Sequence, residues 1–571
     1  MCRNILWLSL VGLCVLILLV RFAQMGNAHL RHLFSLTTTQ QSQSFWTQDR
    51  TSFWPNLKKH FLYAPLFKKR HNREIQLSNA INVGTLPSRF HTVLLLLYIL
   101  SNVAYCSTLE YHQKDRAALL AEVRGRTGVL AVVNMIPLFV LAGRNNPLIS
   151  MLRVSFDTHN LLHRWVGRVV VLESVAHTLA WAANEIDAAG WHGVNVALQS
   201  RAFEQYGLLA TCAMVFLLGH SPSAIRHAFY ETFLHLHQLM AFTAVLGIYV
   251  HFDLEKLPQL PYLKAIIALW LIERGIRLLR ILYHNFSRNG WGQVTVEALP
   301  GGACRVTFDL QRRWKVSPGC HVYAYLPAVS LWMSHPFSLA WSEERLALPM
   351  NEKEETLPIA KSEADFSSPR NTTTSISLIM SKRTGMTAKL YEKASAAPRG
   401  IISMYGAVEG PYGGLESLHS YGTVILFAGG VGITHQVSHV RDLLAGYHDG
   451  TVAARKVVLV WSVRTTEQLE WVRPWMDQIL AMPGRRELLK ILLFVTKPRS
   501  AREVVSPSAT VQMFPGRANP QVIIDKELND RVGAMAVTVC GPGAFADSVR
   551  DAVRKRIHVG SIDFVEESFT W

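Results

Sequence analysis

The residues with the plainest chemistry are four histidines in two apolar segments. His163 and His177 are fourteen residues apart, and so are His237 and His251. At about 100° and 1.5 Å per residue, that step nearly regains the same helix face after a rise of roughly 21 Å. Each helix then carries two imidazoles on one stripe at two depths. Ionisable side chains inside a bilayer are costly and face the bundle interior where they have work to do, and imidazole is a frequent axial ligand of haem iron. If the helices run parallel, His163 lies level with His237 and His177 with His251, so each level can clamp one haem from both sides. A lone histidine of this kind is more often an ordinary polar residue of a helix bundle, but two equal spacings on separate segments reverse that weighting. His159, one turn from His163 on nearly the same face, is the substitute ligand. His235 is sixteen residues from His251 and turns to the opposite face.

Seven apolar segments can supply such helices, at roughly 5–22, 89–107, 126–143, 160–183, 206–220, 229–251 and 262–282, the fifth being short for a bilayer. The chain has 571 residues, 49% of them apolar, more than a soluble enzyme needs. Its formal charge of +17 does not imply nucleic acid, because the basic residues sit beside the apolar segments, as in the cluster of Lys58, Lys59, Lys68, Lys69, Arg70 and Arg73. That is the positive-inside pattern. It places the loop between the first two spans in the cytosol and, with seven spans, everything after residue 283 there too. The Asn184–Asp187 and His251–Glu255 turns then face outward. The first segment also reads as a short signal peptide, although its apolar run is long for one and lacks a clear small-residue cleavage site. The seven cysteines form no C-x-x-C pair, so neither a zinc site nor a disulfide framework is indicated.

After Gln293, alternation replaces the long apolar runs. Val294 and Val296, Val306 and Phe308, and His321–Leu326 after Pro318-Gly319 predict short strands of an antiparallel barrel. Ser342–Thr374 is polar and acidic and predicts a solvated insertion. From Gly422 the pattern becomes strand, glycine turn, helix. Thr423–Phe427 is a buried strand, and Gly429-Gly430-Val431-Gly432-Ile433-Thr434 opens a helix whose backbone amides can receive a phosphate. Strands at Val457–Val463, Ile491–Thr496 and Ala536–Val539, with helices between them, predict a doubly wound parallel sheet whose ligands sit beyond the strands' carboxyl ends. Cys540-Gly541-Pro542-Gly543 follows one such end.

The order of the paired histidines, His335-Pro336-Phe337-Ser338, Gly385-Met386-Thr387, Glu409-Gly410-Pro411-Tyr412-Gly413, the Gly429 loop, Cys540-Gly541-Pro542-Gly543 and the terminal Phe-Val-Glu-Glu-Ser-Phe-Thr-Trp resembles fungal ferric-chelate reductases. These belong, with the NADPH oxidases, to one superfamily of transmembrane flavocytochromes. The resemblance covers about 85–571 and leaves 23–84 outside. It implies that Ser338 hydrogen-bonds the flavin of FAD and that His335, Pro336 and Phe337 complete that motif. Gly385, Met386 and Thr387 are then the turn that receives the pyrophosphate. Glu409–Gly414 is the hinge turn between the flavin and nicotinamide domains. Arg464 would hold the 2′-phosphate of NADPH, consistent with the lack of an acidic residue directly after its strand. Gly429, Gly430, Gly432 and Thr434, with Gly541 and Pro542, would line the nucleotide. Cys540 would lie close to the nicotinamide, and either Phe569 or Trp571 would cover the flavin face.

The expected architecture is a multi-pass helical membrane domain with bis-histidine haems, followed by a ferredoxin-reductase-like module of FAD barrel and NADP domain. Its expected parts are 1–84 (an N-terminal span or signal anchor with a basic cytosolic segment), 85–284 (haem domain), 285–415 (FAD barrel) and 416–571 (NAD(P) domain). The expected activity is electron transfer from cytosolic NADPH through FAD and two b-type haems to an external ferric or cupric chelate. A plasma-membrane location and a metal permease or oxidase as partner accompany it. Oxygen as acceptor, making superoxide, and a histidine-lined transporter with a nucleotide-binding regulatory domain are the alternatives. Asp187, Glu185, His192, Asp253 and Glu255 are the outward groups that could attract a metal ion.

Overall fold

Among the described residues, seven helices of nineteen residues or more precede the first barrel strand. They are α1 (Cys2–Leu36), α2 (Arg89–Ser107), α3 (Arg116–Ala142), α4 (Phe156–Ser200), α5 (Ala202–His220), α6 (Tyr230–Leu254) and α7 (Leu260–Asn285). The structure is a computed structural model and describes residues 2–36, 40–49, 51–73, 83–112, 115–287, 290–331, 333–346 and 372–567. It divides into two compact units, one built mainly of 1–25 and 64–276, the other mainly of 26–63 and 277–569.

In the first unit, polar caps mark where helices begin. Ser88, Asp115 and Ser155 accept from the backbone N–H groups of His91, Ala118 and Thr158, satisfying donors that a helix start leaves open. α3 packs on α4 and α5 on α6, around a core that includes Val132, Val170, Met214, Ile248, Leu263 and Ile266. Among the described residues, six helices are long and apolar enough to cross a membrane. The chain is a multi-pass membrane protein. The expected seventh span is present as helix α7 but falls outside that set, and it carries Lys264, Glu273, Arg274, Arg277 and Arg280.

A second difference concerns the expected Asn184–Asp187 turn. Helix α4 runs on past it, and its geometry breaks only at Ala189 and Gly190, where Gly190 takes a φ of 65°. Alanines on both sides favour continuation of the helix, and only glycine adopts that φ readily. The segment thought to be a loop is therefore helical up to Ser200.

In the second unit, the strands are β1 (Gln293–Leu299), β2 (Ala303–Leu310), β3 (Cys320–Tyr325), β4 (Ser334–Ser338), β5 (Trp341–Leu346), β6 (Thr372–Ser381), β7 (Ile401–Tyr405) and β8 (Ala407–Gly413). They form two antiparallel sheets, ordered β7-β1-β2-β6-β5 and β8-β3-β4. Both sheets share one core, to which the alternating Val294, Val296, Val306 and Phe308 contribute. The expected solvated insertion is shorter at both ends than its composition implied. Ser342–Leu346 lies in β5 and Thr372–Thr374 in β6, paired in register, because the alternating Trp341 and Ile376 faces have a core to cover. Residues 347–371 lie outside the described residues.

The remaining strands, β9 (Thr423–Gly429), β10 (Lys456–Val463), β11 (Leu489–Val495), β12 (Val511–Pro515), β13 (Met535–Cys540) and β14 (Ile562–Glu567), form a parallel sheet ordered β12-β11-β10-β9-β13-β14. Every residue of β9 is buried, as expected of a strand covered on both faces. Helices α8 (Met386–Ser395), α9 (Ile433–His448), α10 (Arg473–Ala481), α11 (Pro520–Asn529) and α12 (Gly543–Arg556) complete the unit. The helix expected between the second and third strands of this sheet begins as a 3₁₀ turn, Thr466–Trp471, and becomes α10 after Val472.

Candidate functional site

The two histidine levels meet as the spacing required. The rings of His163 and His237 lie with centroids 6.3 Å apart. Two imidazoles bound through nitrogen to opposite sides of one metal ion, at bond lengths of about 2 Å, would leave centroids separated by about 6 Å. His177 and His251 line a common cavity of about 340 Å³. With the early histidines paired and the late ones sharing a cavity, α4 and α6 run in the same direction.

The hydrogen bonds behind these rings define their chemistry. His163 Nδ1 lies 3.0 Å from the Leu138 carbonyl oxygen, His177 Nδ1 2.8 Å from that of Arg124, and His251 Nδ1 2.8 Å from that of Phe203. A carbonyl only accepts, so Nδ1 must donate, which leaves the lone pair on Nε2, the atom a metal would use. His237 differs: its Nδ1 is buried without a hydrogen-bond partner, and its ring is held by Phe233 at 5.3 Å. These donor atoms fit two bis-imidazole haems. The weaker candidates separate from them. His159 is buried and gives its Nδ1–H to Ser155 of its own helix, and His235 is exposed.

Two residues that the sequence reading passed over make this arrangement possible. A Cβ on Gly128 would stand 2.6 Å from His177 Nδ1, and one on Gly207 3.0 Å from His251 Nδ1. Each glycine lies four residues after the residue whose carbonyl accepts, Arg124 and Phe203 respectively. Helical Cβ atoms tilt toward the N-terminus, so the missing Cβ uncovers that carbonyl for an imidazole from the next helix. The available signal was a glycine inside an apolar helix at that offset.

In the second unit, the site is built from backbone. Gly430 takes a φ of 54° with nothing within 4 Å of where a Cβ would be, at the mouth of a turn that leads into α9. Gly432 is the opposite case: its Cβ would fall 2.0 Å from the Cys540 carbonyl oxygen. The turn after β9 and the turn after β13 thus pack against each other, Gly429 facing Gly541 and Pro542. Thr434 Oγ1 donates to the Val431 carbonyl and helps close the loop. Cys540 ends β13 beside Ala428 and opposite Glu567 of β14. Burial first, and Glu567 second, push its thiol far above the usual range, so it is a neutral S–H. Arg464 is exposed just past β10, its backbone N–H bonded to Gln468 Oε1, which leaves its guanidinium facing solvent at the carboxyl edge of the sheet.

On the barrel, β4 carries the His335–Ser338 run antiparallel to β3, with Ser338 opposite His321 and His335 opposite Ala324. Ser338 is buried. Gly385 takes a φ of 67° as it caps α8, Met386 is buried, and Thr387 Oγ1 accepts from the Arg383 N–H. Glu409 is fully buried; it accepts from Tyr325, Tyr412 and, through both oxygens, Arg277. Phe569 and Trp571 lie outside the described residues. Asp187 pairs with Arg116 and Asp253 with Lys256, so two of the outward carboxylates already have cationic partners.

Three family models match along the chain in the order these sites occur: a ferric reductase like transmembrane component over 127–248, an FAD-binding domain over 288–363 and a ferric reductase NAD binding domain over 421–506. The chain is thus similar to ferric reductases in its transmembrane, FAD-binding and NAD-binding parts. It is 26% identical to ferric reductase transmembrane component 3 of Saccharomyces cerevisiae over 86% of this chain and 68% of the yeast protein. It is 23% identical to ferric/cupric reductase transmembrane component 1 of Candida albicans over 90% of this chain and 67% of that one. A probable cell surface ferric reductase of Aspergillus oryzae is 27% identical over 61% of this chain and 44% of its own length. The transmembrane match contains His163, His177 and His237 and ends three residues before His251, and the NAD-binding match contains the Gly429 loop and Arg464.

Proposed function

We propose that this protein moves electrons from cytosolic NADPH across the plasma membrane to an external ferric or cupric chelate, with FAD and two b-type haems as cofactors and metal uptake as the purpose. The observation that carries the reading is the set of three Nδ1–H groups given to backbone carbonyls, which presents Nε2 for metal at two depths of one bundle. When bound, FAD would supply the exchange of one two-electron hydride for two single electrons, and haem one-electron transfer.

The chain's own residues do the positioning. Gly430 and the start of α9 leave room for a pyrophosphate, Arg464 takes the 2′-phosphate, and Ser338 offers a buried hydroxyl to the flavin ring. Cys540 stays a neutral thiol beside the nicotinamide, small enough to let the ring approach the flavin. His163 with His237, and His177 with His251, would hold the haems. Outward movement is favoured by about 2.3 kcal/mol per 100 mV when the cytosol is negative.

The test uses intact cells expressing the chain and an impermeant ferric chelate. Chelate reduction should appear, and superoxide dismutase should not affect it. Reduction abolished by the dismutase would make oxygen the acceptor. A purified protein without a haem absorbance spectrum would overturn the reading altogether.

A further inference from the structure

The segment before the second span was expected only to flank the membrane with positive charge. In the structure, 26–63 packs into the same unit as the nucleotide-binding sheet, and two of its cations, Arg31 and Lys58, are buried there. Lys58 is 4% exposed and donates to Asp563 Oδ1 at 2.6 Å. Arg31, 5% exposed, donates twice to Ser420 Oγ, lies 4.0 Å above the Tyr421 ring and stands 3.9 Å from Asp563 Oδ2, which also accepts from Tyr421 at 2.8 Å. Gln43 is wedged over Gly422 and Gly533, where a Cβ would come within 2.3 and 2.6 Å of its Oε1.

Some of the segment's backbone contacts reach Thr451 and Ala453, and three fall on one strand or the residue just before it. Among the described residues β14 is the edge of the parallel sheet and pairs only with β13, and an uncovered edge presents open hydrogen-bonding groups. The Thr47 carbonyl accepts from Ser561 N–H, Lys58 donates to the Ile562 carbonyl, and Tyr63 Oη accepts from Phe564 N–H. Asp563 and Glu567 lie on the same face of β14, since side chains alternate along a strand. Glu567 is the residue opposite Cys540, and its carboxylate lies 4.0 Å from His321 Nδ1.

We propose that 26–63 is a strap that sets the position of β14 and thereby of the Cys540–Glu567 end of the nicotinamide site, with Lys58, Arg31 and Asp563 as its positioning residues. The kinetic part of this inference rests on the NADPH reading above. Around Asp563 the charged and titratable groups are Lys58, Arg31, Tyr63 and Tyr421. Burial opposes its ionisation, but Lys58 and Arg31 outweigh burial and hold its carboxyl below the usual range. The latch is therefore closed at neutral pH and opens as pH falls through that lowered value.

The test compares the full-length parent in detergent with Lys58→Met and the charge-keeping Lys58→Arg. The first readout is hydrogen exchange in 562–567, which needs no activity. Lys58→Met should accelerate exchange there while leaving β12, the opposite edge, unchanged, and Lys58→Arg should restore protection. The second readout is NADPH-dependent reduction of ferricyanide, a soluble acceptor. In Lys58→Met, kcat should fall about tenfold to a hundredfold with KM for NADPH kept within about twofold, because Arg464 follows a different strand, β10. Unchanged exchange in 562–567 overturns the strap. So does a loss of kcat that Lys58→Arg shares, or one that only tracks the amount of folded protein. A parent that oxidises no NADPH would overturn the functional reading instead, and the exchange measurement would still decide the strap.

Discussion

The membrane unit and the nucleotide unit make their sites in opposite ways. Between the helices, side chains are the working groups, and backbone carbonyls orient them: three imidazoles reach across to a neighbouring helix and donate to its main chain. In the parallel sheet the backbone is the working group, and the site exists because side chains are missing from Gly429, Gly430 and Gly432. A membrane helix has used its own N–H groups internally, so only side chains can present chemistry. A strand-to-helix turn has free amides to offer. The first unit should therefore be sensitive to removing side chains and the second to adding them.

The largest effect should come from adding one methyl group. Gly432→Ala drives a Cβ onto the Cys540 carbonyl, where both parties are backbone and neither can swing aside. Thermal unfolding of the full chain should show the nucleotide unit destabilised by about 3 kcal/mol or more, with NADPH oxidation lost. A near-normal Gly432→Ala protein would break the comparison.

Next come side-chain removals in the bundle. His163→Ala or His237→Ala should remove one haem, and His177→Ala or His251→Ala the other, read as a fall from about two haems per chain by pyridine haemochrome. If all four variants kept full haem, the bis-histidine assignment would be wrong.

Arg464 is an exception that sharpens the contrast, being a side chain at work in a backbone-built site. Arg464→Ala should raise KM for NADPH about tenfold to a hundredfold, the worth of a charge-assisted contact, and hardly alter that for NADH. Equal effects on both would show that this guanidinium does not read the 2′-phosphate.

Gly128 and Gly207 are the converse exception, absent side chains in a side-chain-built site. Gly128→Ala and Gly207→Ala should keep haem but push the rings of His177 and His251 away from the carbonyls they bond, His177 the further, shifting the low-temperature electron paramagnetic resonance of the outer site. Gly219→Ala, with nothing within 4 Å, is the control and should leave the spectrum unchanged.

The smallest effect is a pH dependence outside the bundle. His419 Nε2 bonds Asp442 at 2.6 Å, and that bond raises its pKa above 6.5. A raised pKa stabilises the fold below 6.5 and the gain fades as pH rises through the higher folded value. His419→Gln should flatten that decline in the unfolding temperature, and an unchanged slope would assign it to other groups.

The four histidines were legible because helical periodicity is a property of local sequence: a step of fourteen residues means one face wherever the helix goes. The glycine turns and the parallel sheet were legible for the same reason, since Gly430 and the buried run Thr423–Phe427 are local requirements. What local pattern could not supply was anything that depends on a neighbour from far along the chain. Asn184–Asp187 looked like a turn because it is acidic, yet nothing there forces the helix to stop, and the break fell at Gly190. Gly128 and Gly207 acquire meaning only beside His177 and His251. Lys58 is the sharpest case: by sequence it is one cation in a basic cluster, and its role depends on Asp563, more than five hundred residues away. Helix, strand and turn are set by interactions within a few residues, whereas the partner that makes a buried charge tolerable is chosen only when the chain has folded.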